Sequence, residues 1–472
     1  MKRSAQWVAE AVGGHLYGPD VLIQGLVETD SRRCEPGSLY VARRGESADG
    51  HAFLGAAQDA GAVAAIVETL QPGQLAQVVV PDATVALGEL ARAYLAELRD
   101  GSDLQVIGIT GSAGKTTTKD LLGQILSAAA PTVFPKLSFN NEVGCPLTIL
   151  RADESTRYLV LEMGASGPGH LRYLTEIAPL DVAVELMVGR AHLGGFGGVD
   201  QLCSAKQELI EGLRPGGIAV LNATDPAVVR MLSRAPGPAL LFSSDPLLPA
   251  QVTAVDTTID EVGRPHFTIR FGGRCAPVDT VLVGAHQVGN VLAAVAVALA
   301  VGITLENAAA SVGAARALSP HRMDVRPHLS WTDTTDVLLV DDSYNANPDS
   351  MAAGLRAARH LAGDGRIVAV LGQMLELGPD SARIHREMAS SAVESGVSVL
   401  LTVGPEAVPL AEAFAAQTSP QTETHATETA DEVNSLLPEI IEPGDTLFLK
   451  GSWGSGVWKV ADFIIESARK VT

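Results

Sequence analysis

Apolar and polar positions alternate in blocks along the middle of the chain. Near-continuous apolar runs, which predict buried strands, are separated by longer stretches with helical spacing. The predicted strands lie at 104–109, 158–162, 182–186 and 218–221, and the predicted helices lie near 116–129, 199–213 and 286–302. Buried strands between helices are typical of a mostly parallel sheet that is covered on both faces. Closer, strand-like spacing over 240–284 indicates an antiparallel edge to this sheet.

The region before this block has the same alternation on a smaller scale. Residues 1–102 mix short apolar runs with turn residues and end in a helical pattern over 87–98. This pattern predicts a small α/β domain. A polar, breaker-rich segment at 99–103 separates it from the central domain, which we place at 103–315.

A third α/β alternation follows a break at 318–320. Its predicted strands lie at 337–340, 367–371, 397–403 and 446–449. The pattern predicts a doubly wound, Rossmann-like domain over 316–472. The compositionally biased segment 418–429 is predicted to be a surface loop. The predicted fold class is therefore α/β with three domains.

Composition narrows the class of protein. The chain has 472 residues, of which 46% are apolar and 19% charged, as expected of a soluble globular protein with several domains. Its net charge of −20 argues against a broad electrostatic grip on nucleic acid or an anionic membrane. The longest apolar stretch, 291–303, is shorter than the roughly 20 residues that cross a bilayer and predicts a buried helix. Without a recognisable secretory signal, we expect a cytoplasmic protein with no membrane insertion.

A glycine-rich turn carries the strongest chemical signal. The apolar run that ends at Ile109 leads into Thr-Gly-Ser-Ala-Gly-Lys-Thr-Thr-Thr and then into a helical pattern. In that setting backbone amides converge on a polyphosphate, Lys115 reaches its outer phosphates, and the Thr116 hydroxyl can bind Mg²⁺. The turn is a variant of the phosphate-binding loop, because Ile109 replaces the first glycine of the strict pattern. The predicted nucleotide-binding residues here are Gly111, Ser112, Ala113, Gly114, Lys115, Thr116 and Thr117.

Three polar residues near strand ends are candidates for the metal site. Glu162 ends an apolar run, where a parallel sheet delivers side chains to the phosphate crevice; the alternative is a solvated strand-end carboxylate. His192 follows the next run and is equally compatible with a structural or a functional role. Lys206 lies in the following helix, where composition alone favours a solvated side chain.

Together these motifs resemble the Mur ligase family, and within it most closely the MurF branch. The matching strings lie at 30–32, 36–42, 44–46 and 49–53, at 139–148, 162–165 and 191–197, and at 342–351. The resemblance implies an ATP- and Mg²⁺-dependent amide ligase of peptidoglycan precursor synthesis, and hence a role in cell-wall growth. It would add D-alanyl-D-alanine to UDP-N-acetylmuramoyl-tripeptide through an acyl phosphate. Its partners would be these small molecules, with no nucleic acid, and the chain would be a monomer.

The resemblance also assigns roles to particular residues. The first domain would bind the UDP-sugar and the second would bind ATP. Catalysis would depend on Lys115, Glu162, His192, Lys206 and Arg322, with metal ligands from Thr116, Glu162, His192 and, if it is carbamylated, Lys206. Asn290 would contact adenine, and Arg322 and Asp342 would reach the ATP phosphates and ribose. The substrate-binding residues would be Ser31, Arg32, Gly45, Asp49, His51, Asn140 and Asn141, together with Tyr344, Asn345 and Asn347, which would shape the pocket near the incoming dipeptide.

Four residues depart from the family pattern: Ser166, Met187, Gln287 and Trp453. They leave the phosphate loop and the predicted metal ligands intact but make the identity of the substrates less secure. One alternative is therefore an amide ligase of the same fold that joins a different acid and amine in specialised metabolism. A second alternative is a non-catalytic nucleotide-binding switch, which would need neither Glu162 nor His192.

Overall fold

The computed structural model describes residues 1–45, 48–189, 199–332, 335–419 and 422–471. Three α/β units follow one another along these residues, each built around its own sheet. The predicted three-part α/β architecture is confirmed. The boundaries predicted at 102/103 and 315/316 fall between elements and stay a prediction. Within the described part of the chain, no helix is long and apolar enough to cross a membrane.

The first unit has a five-stranded sheet in the order β2-β7-β6-β5-β4, parallel except for β2. A short pair, β1 with β3, is antiparallel. Its strands are β1 Arg3–Ser4, β2 His15–Tyr17, β3 Leu22–Ile23, β4 Val27–Glu28, β5 Leu39–Val41, β6 Ala64–Val67 and β7 Ala76–Val79. Its helices are α1 Ala5–Ala11, α2 Leu54–Asp59 and α3 Ala83–Arg99. The Asp82 side chain caps the first amides of α3, which fixes where that long helix starts.

The central unit is a nine-stranded sheet in the described residues, ordered β16-β15-β14-β13-β12-β11-β8-β10-β9. Its strands are β8 Gln105–Thr110, β9 Thr132–Val133, β10 Tyr158–Glu162, β11 Leu180–Glu185, β12 Leu213–Asn222, β13 Ala239–Ser243, β14 Val252–Ile259, β15 Pro265–Phe271 and β16 Arg274–Asp279. Pairing is parallel from β9 to β14 and antiparallel through β15 and β16. The antiparallel edge predicted over 240–284 is confirmed for β15 and β16, whereas β13, at the start of that range, pairs in parallel with both of its neighbours.

The helices of the central unit cover both faces of its sheet. They are α4 Lys115–Ser127, α5 Gly144–Ile149, α6 His170–Ile177, α7 Val199–Glu211, α8 Pro226–Arg230, α9 Gln287–Ala300 and α10 Leu305–Ala314. Helix α9 is apolar on almost every side, and its residues from Val291 to Ala298 are fully buried. It is the buried helix that the apolar stretch predicted, since a helix without a polar face must be enclosed.

The third unit is a six-stranded sheet in the order β17-β18-β22-β19-β20-β21, parallel except for the edge strand β17. Its strands are β17 Asp324–Thr332, β18 Thr335–Asp342, β19 Ile367–Gly372, β20 Val397–Val403, β21 Glu423–Thr427 and β22 Thr446–Lys450. Its helices are α11 Pro348–Ala362, α12 Ser381–Glu394, α13 Val408–Gln417, α14 Ala430–Ile440 and α15 Trp458–Val471. Asn347 caps α11 with a capping box shared with Ser350.

The prediction of a surface loop over 418–429 is wrong in part, because Glu423–Thr427 form the edge strand β21. This strand pairs with β20 on one side only and is rich in threonine. Its sequence lacks the apolar run that marks the buried strands, so the polar composition concealed it.

The central and third units meet at the carboxyl ends of the central strands. Because β8, β10 and β11 are parallel neighbours, Thr110, Glu162 and Glu185 end at the same edge of the sheet. The third unit places the ends of β18 and β22 opposite this edge. A cleft between parallel sheets at strand ends is the usual place for a ligand in such folds.

Candidate active site

The glycine-rich turn forms a phosphate-binding loop between β8 and α4. Gly111 and Gly114 have φ values of 155° and 84°, and an added Cβ at Gly114 would lie 2.3 Å from Asn290 Oδ1. Larger residues are therefore excluded at that point of the turn. No side chain caps the amino end of α4 among the described residues, so its first amides are available to an anion. The backbone geometry suits a bound phosphate.

Lys115 projects into this turn from the first residue of α4. Its ammonium donates to the Gly111 carbonyl at 2.5 Å. Burial, followed by the nearby Lys206 ammonium, lowers the pKa of Lys115 to about 8. Among the described residues, no carboxylate lies within ion-pair distance of it. The lysine is a desolvated cation whose charge is left for an incoming anion.

Oxygen-rich side chains gather beside the loop. Thr116 Oγ1 donates to Glu162 Oε2 at 3.0 Å and lies 2.9 Å from Ser138 Oγ. Asn140 Nδ2 donates to Glu162 Oε1 at 3.2 Å. Glu162 is 1% exposed, which excludes the solvated carboxylate that was its alternative. Hydroxyl and carboxylate oxygens are the donors that Mg²⁺ prefers, so Thr116 and Glu162 fit that ion.

Lys206 is buried rather than solvated, against the expectation from composition. Its Nζ lies 3.8 Å from Glu185 Oε1, and the two side chains are 3% and 0% exposed. Neither carboxylate oxygen of Glu185 has a hydrogen-bond partner among the described residues. Burial raises the pKa of Glu185 to about 7, while burial lowers that of Lys206. His192, the other predicted ligand in this area, lies outside the described residues.

The third unit supplies the opposite wall of the cleft. Arg322 Nη2 donates to Thr116 Oγ1 at 3.0 Å and to Ser138 Oγ at 3.3 Å. Asn347 Nδ2 donates to the Ser112 carbonyl at 3.1 Å. Asp342 Oδ2 accepts from Lys450 Nζ at 2.5 Å. The two domains therefore contact each other directly across the phosphate loop.

These walls enclose a cavity of about 280 Å³. The predicted residues that line it are Ser112, Ala113, Gly114, Lys115, Thr116, Thr117, Asn140, Glu162, Asn290, Arg322, Asp342, Tyr344, Asn345 and Asn347. Asn290 donates to Gln287 Oε1 at 2.7 Å. Asn141 does not line the cavity; it accepts from the Gly144 amide at 2.9 Å and fixes the start of α5.

Five predicted residues lie elsewhere, in the first unit. Ser31, Arg32, Gly45, Asp49 and His51 are absent from the lining of the phosphate cavity. Asp30 caps a short 3-10 turn that contains Ser31 and Arg32. Asp49 caps a second one, which contains His51. Their role in UDP-sugar binding stays a prediction.

Sequence reasoning missed Lys450, Ser138 and Glu185. Lys450 ends β22 and Glu185 ends β11, so the strand-end position that singled out Glu162 was a signal for both. Ser138 lies in a loop of irregular structure, and only its distance from Thr116 reveals it.

Of the four departures from the family pattern, Met187 and Gln287 line the cavity, whereas Ser166 and Trp453 do not. Met187 contributes its carbonyl, which accepts from the Ser112 amide at 2.9 Å, so the loop contact does not depend on its side chain. Gln287 contacts His286 at 3.1 Å as well as Asn290. Ser166 is exposed and lies 2.9 Å from His170 Nδ1. Trp453 is 48% exposed and stacks on Trp458.

This fold and site define a three-domain protein with a P-loop-type nucleotide site completed from a third, Rossmann-like domain. Family models match three successive regions: the Mur ligase family catalytic domain at 25–95, the Mur ligase middle domain at 109–298 and the Mur ligase glutamate ligase domain at 321–453. The chain belongs to the Mur ligase family, and the resemblance in its motifs is confirmed.

Several named proteins are similar over nearly the whole chain. UDP-N-acetylmuramoyl-tripeptide–D-alanyl-D-alanine ligase of Mycobacterium tuberculosis is 38% identical, covering 97% of this chain and 96% of the relative. The ligase of the same name from Bacillus subtilis is 32% identical, covering 99% of each chain. A crystal structure of MurF from Acinetobacter baumannii is 30% identical with a TM-score of 0.85, covering 99% of each chain. MurF of Thermotoga maritima in complex with ADP is 26% identical with a TM-score of 0.78, covering 95% of this chain and 99% of that one.

Proposed function

We propose that this chain is an ATP-dependent ligase that joins D-alanyl-D-alanine to UDP-N-acetylmuramoyl-tripeptide in peptidoglycan precursor synthesis. The observation that carries the proposal is the convergence of Lys115, Thr116, Glu162 and Arg322 on one cavity, the last of them from another domain. The names of the full-length relatives supply the substrates. The ADP complex of a relative supports ATP as the nucleotide.

The chemistry follows from the need to activate a carboxylate before it can acylate an amine. The terminal carboxylate of the tripeptide attacks the γ-phosphorus of ATP, which gives an acyl phosphate and ADP. Lys115 and Arg322 stabilise the charge on the transferred phosphoryl group, since this transfer depends on positioning and charge rather than on a protein nucleophile. The dipeptide amine then attacks the acyl carbon, loses a proton and expels phosphate, which leaves the amide.

Metal binding belongs to the same proposal. Thr116 and Glu162 would hold Mg²⁺ through a hydroxyl and a carboxylate oxygen, with Asn140 orienting the carboxylate. His192 remains a proposed further ligand outside the described residues. When bound, the ion would neutralise charge on the phosphate oxygens. The side chains of Lys115 and Arg322 add the positive charge that the protein itself supplies.

Water must be kept from an acyl phosphate, and the cleft suits that requirement. Arg322 and Asn347 reach across from the third domain to the phosphate loop. With substrates bound, this closure would hold the reacting atoms between two protein walls and so reduce competing hydrolysis. We further propose that the chain works in the cytoplasm, as a monomer, on these small molecules. Light scattering of the purified protein would test whether it is a monomer.

The deciding experiment measures ADP formation with purified chain, ATP, Mg²⁺, the UDP-linked tripeptide and the dipeptide. We expect turnover only when both reactants are present, with a product whose mass equals their sum minus one water. Tripeptides with diaminopimelate or lysine at the third position are compared in parallel. Turnover with another acid and amine, but not with either tripeptide, would reject the proposed substrates. ATP binding without turnover of any pair, unaltered by Glu162→Ala, would instead favour the nucleotide switch.

A further inference from the structure

Arg322 is held at the phosphate site entirely by uncharged groups. Its guanidinium donates to Thr116 Oγ1 at 3.0 Å and to Ser138 Oγ at 3.3 Å. Its Cζ lies 4.3 Å from the centroid of the Tyr344 ring. Among the described residues, no carboxylate lies within ion-pair distance of Arg322, and its buried Nε has no hydrogen-bond partner. The arginine is thus fixed in place without being neutralised.

Tyr344 is itself fixed by a row of aromatic rings that runs outward from the cleft. Its ring centroid lies 5.3 Å from that of Trp453. Trp453 stacks on Trp458 with centroids 4.6 Å apart and an interplanar angle of 6°. The His321 ring lies edge-on to Trp453 at 6.0 Å. Aromatic contacts of this kind limit how far a ring can turn.

We infer that Tyr344, backed by Trp453, is a positioning residue that holds the Arg322 guanidinium at the transferred phosphoryl group. This inference rests on the proposed function and revises the predicted place of Tyr344 in the dipeptide pocket. A carboxylate in the same position would orient Arg322 but would compete with phosphate for its charge. The face of an aromatic ring attracts a cation and orients its plane while leaving the positive charge available.

The test compares Tyr344→Leu with Tyr344→Phe, which keeps the ring and loses only the hydroxyl. Tyr344→Leu should lower kcat about tenfold while KM for the dipeptide stays within about twofold. Tyr344→Phe should recover kcat to within about threefold of the parent chain. Trp453→Ala should lower kcat about threefold, and Trp453→Phe should recover most of that loss. Thermal unfolding of each variant checks that the substituted chain is still folded.

Lys459→Ala provides the matched control. Lys459 is exposed and lies over Trp458 at 5.7 Å, at the far end of the aromatic row, so its removal should leave kcat unchanged. In a double-mutant cycle, Tyr344→Leu should have less than about a twofold effect once Arg322→Ala is present. Independent, multiplying effects of the two substitutions would overturn the inference. A rise in KM for the dipeptide alone would also overturn it and return Tyr344 to the dipeptide pocket.

A binding measurement separates this inference from the proposed function. Affinity for a non-hydrolysable ATP analogue is measured by calorimetry without either substrate. Tyr344→Leu and Arg322→Ala should each weaken it, and the double variant should be no weaker than Arg322→Ala. If the parent chain turned over no substrate pair, the proposed function alone would fail. Additive losses of analogue affinity would reject the positioning role whatever the substrates are.

Discussion

Cations around the cleft are held in two different ways. In the region that faces the nucleotide, Lys115 contacts a carbonyl and Arg322 contacts hydroxyls and a ring. At the ends of β11 and β22, Lys206 lies near Glu185, and Lys450, which also lines the cavity, pairs with Asp342. The cations at the phosphate loop are therefore left without a paired carboxylate among the described residues, whereas those at the two strand ends lie beside one.

This difference has an energetic cost on the nucleotide side. A buried cation without an anion is penalised by desolvation, and the lowered pKa of Lys115 is the sign of that penalty. A bound polyphosphate would relieve it. At the end of β22 the penalty is offset within the protein, because Lys450 is 2% exposed and donates to the Asp342 carboxylate. Substitutions in the two regions should therefore have opposite profiles, one on activity and the other on stability.

The largest effect is expected for Lys115→Met. Loss of the charge at the phosphate loop should lower kcat/KM by about 10³ or more, which corresponds to about 4 kcal/mol. The free energy of unfolding should stay the same or rise, because no buried carboxylate loses its partner. ADP release and urea unfolding provide the two measurements, with exposed Lys136→Ala as the control. If Lys115→Met lost stability but kept its turnover, Lys115 would not be a cation whose charge serves the ligand.

The second effect is on stability and is expected for Lys450→Met. Asp342 would lose its partner in a mostly buried position, so the free energy of unfolding should fall by about 3 kcal/mol. Adding Asp342→Asn should recover part of this loss. The control is Arg383→Met, whose exposed pairs with Asp380 and Glu387 are worth less than about 1 kcal/mol. Unchanged unfolding with a large loss of turnover would place Lys450 among the ligand-facing cations.

The third prediction concerns pH. Because the pKa of Lys115 is about 8 in the nucleotide-free chain, its charge is lost as pH rises through 8, and affinity for ADP should fall on the order of tenfold by pH 9.5. Between about pH 8 and the ordinary lysine pKa the unfolded chain binds more protons than the folded one. The contribution of Lys115 to stability therefore rises with pH over that window. Calorimetry in buffers of different ionisation heat should show proton uptake on binding at pH 8.5.

Lys115→Arg sharpens the pH prediction. The guanidinium stays charged at every accessible pH, so this variant should bind ADP with a flat profile between pH 7.5 and 9.5, as calorimetric titration would show. An equally steep profile in Lys115→Arg would assign the titration to another group.

Local patterns in the sequence predicted the sheet cores and the phosphate loop well. Strand β10 over Tyr158–Glu162 and strand β20 over Val397–Val403 coincide with the predicted runs, since buried parallel strands must be apolar throughout. The loop between β8 and α4 was predictable because glycine positions, lysine and threonine lie within a few residues of one another. The polar edge strand β21 escaped because only one side of it is paired.

The part of the site that the third unit contributes was not predictable from local patterns. Arg322 lies 206 positions from Thr116 along the chain, and only the fold brings the two together at 3.0 Å. The family resemblance named Arg322 and Tyr344, but it did not predict that the Arg322 guanidinium lies over the Tyr344 ring. The pairing of Lys450 with Asp342 likewise depends on two strands that are neighbours in the sheet but far apart in sequence.

The smallest effect tests a contact across the cleft that involves no charge. Asn347 caps α11 through Oδ1, and its Nδ2 reaches the Ser112 carbonyl in a buried position. Asn347→Ser keeps a capping oxygen and loses the amide donor, so urea unfolding should show a loss of about 1 kcal/mol. Asn347→Ala loses both and should cost about 2 kcal/mol, compared with about 1 for Thr429→Ala at the exposed cap of α14. If Asn347→Ser destabilised the chain as much as Lys450→Met, neutral contacts would hold the domains as firmly as matched charges, and the division between the two regions would fail.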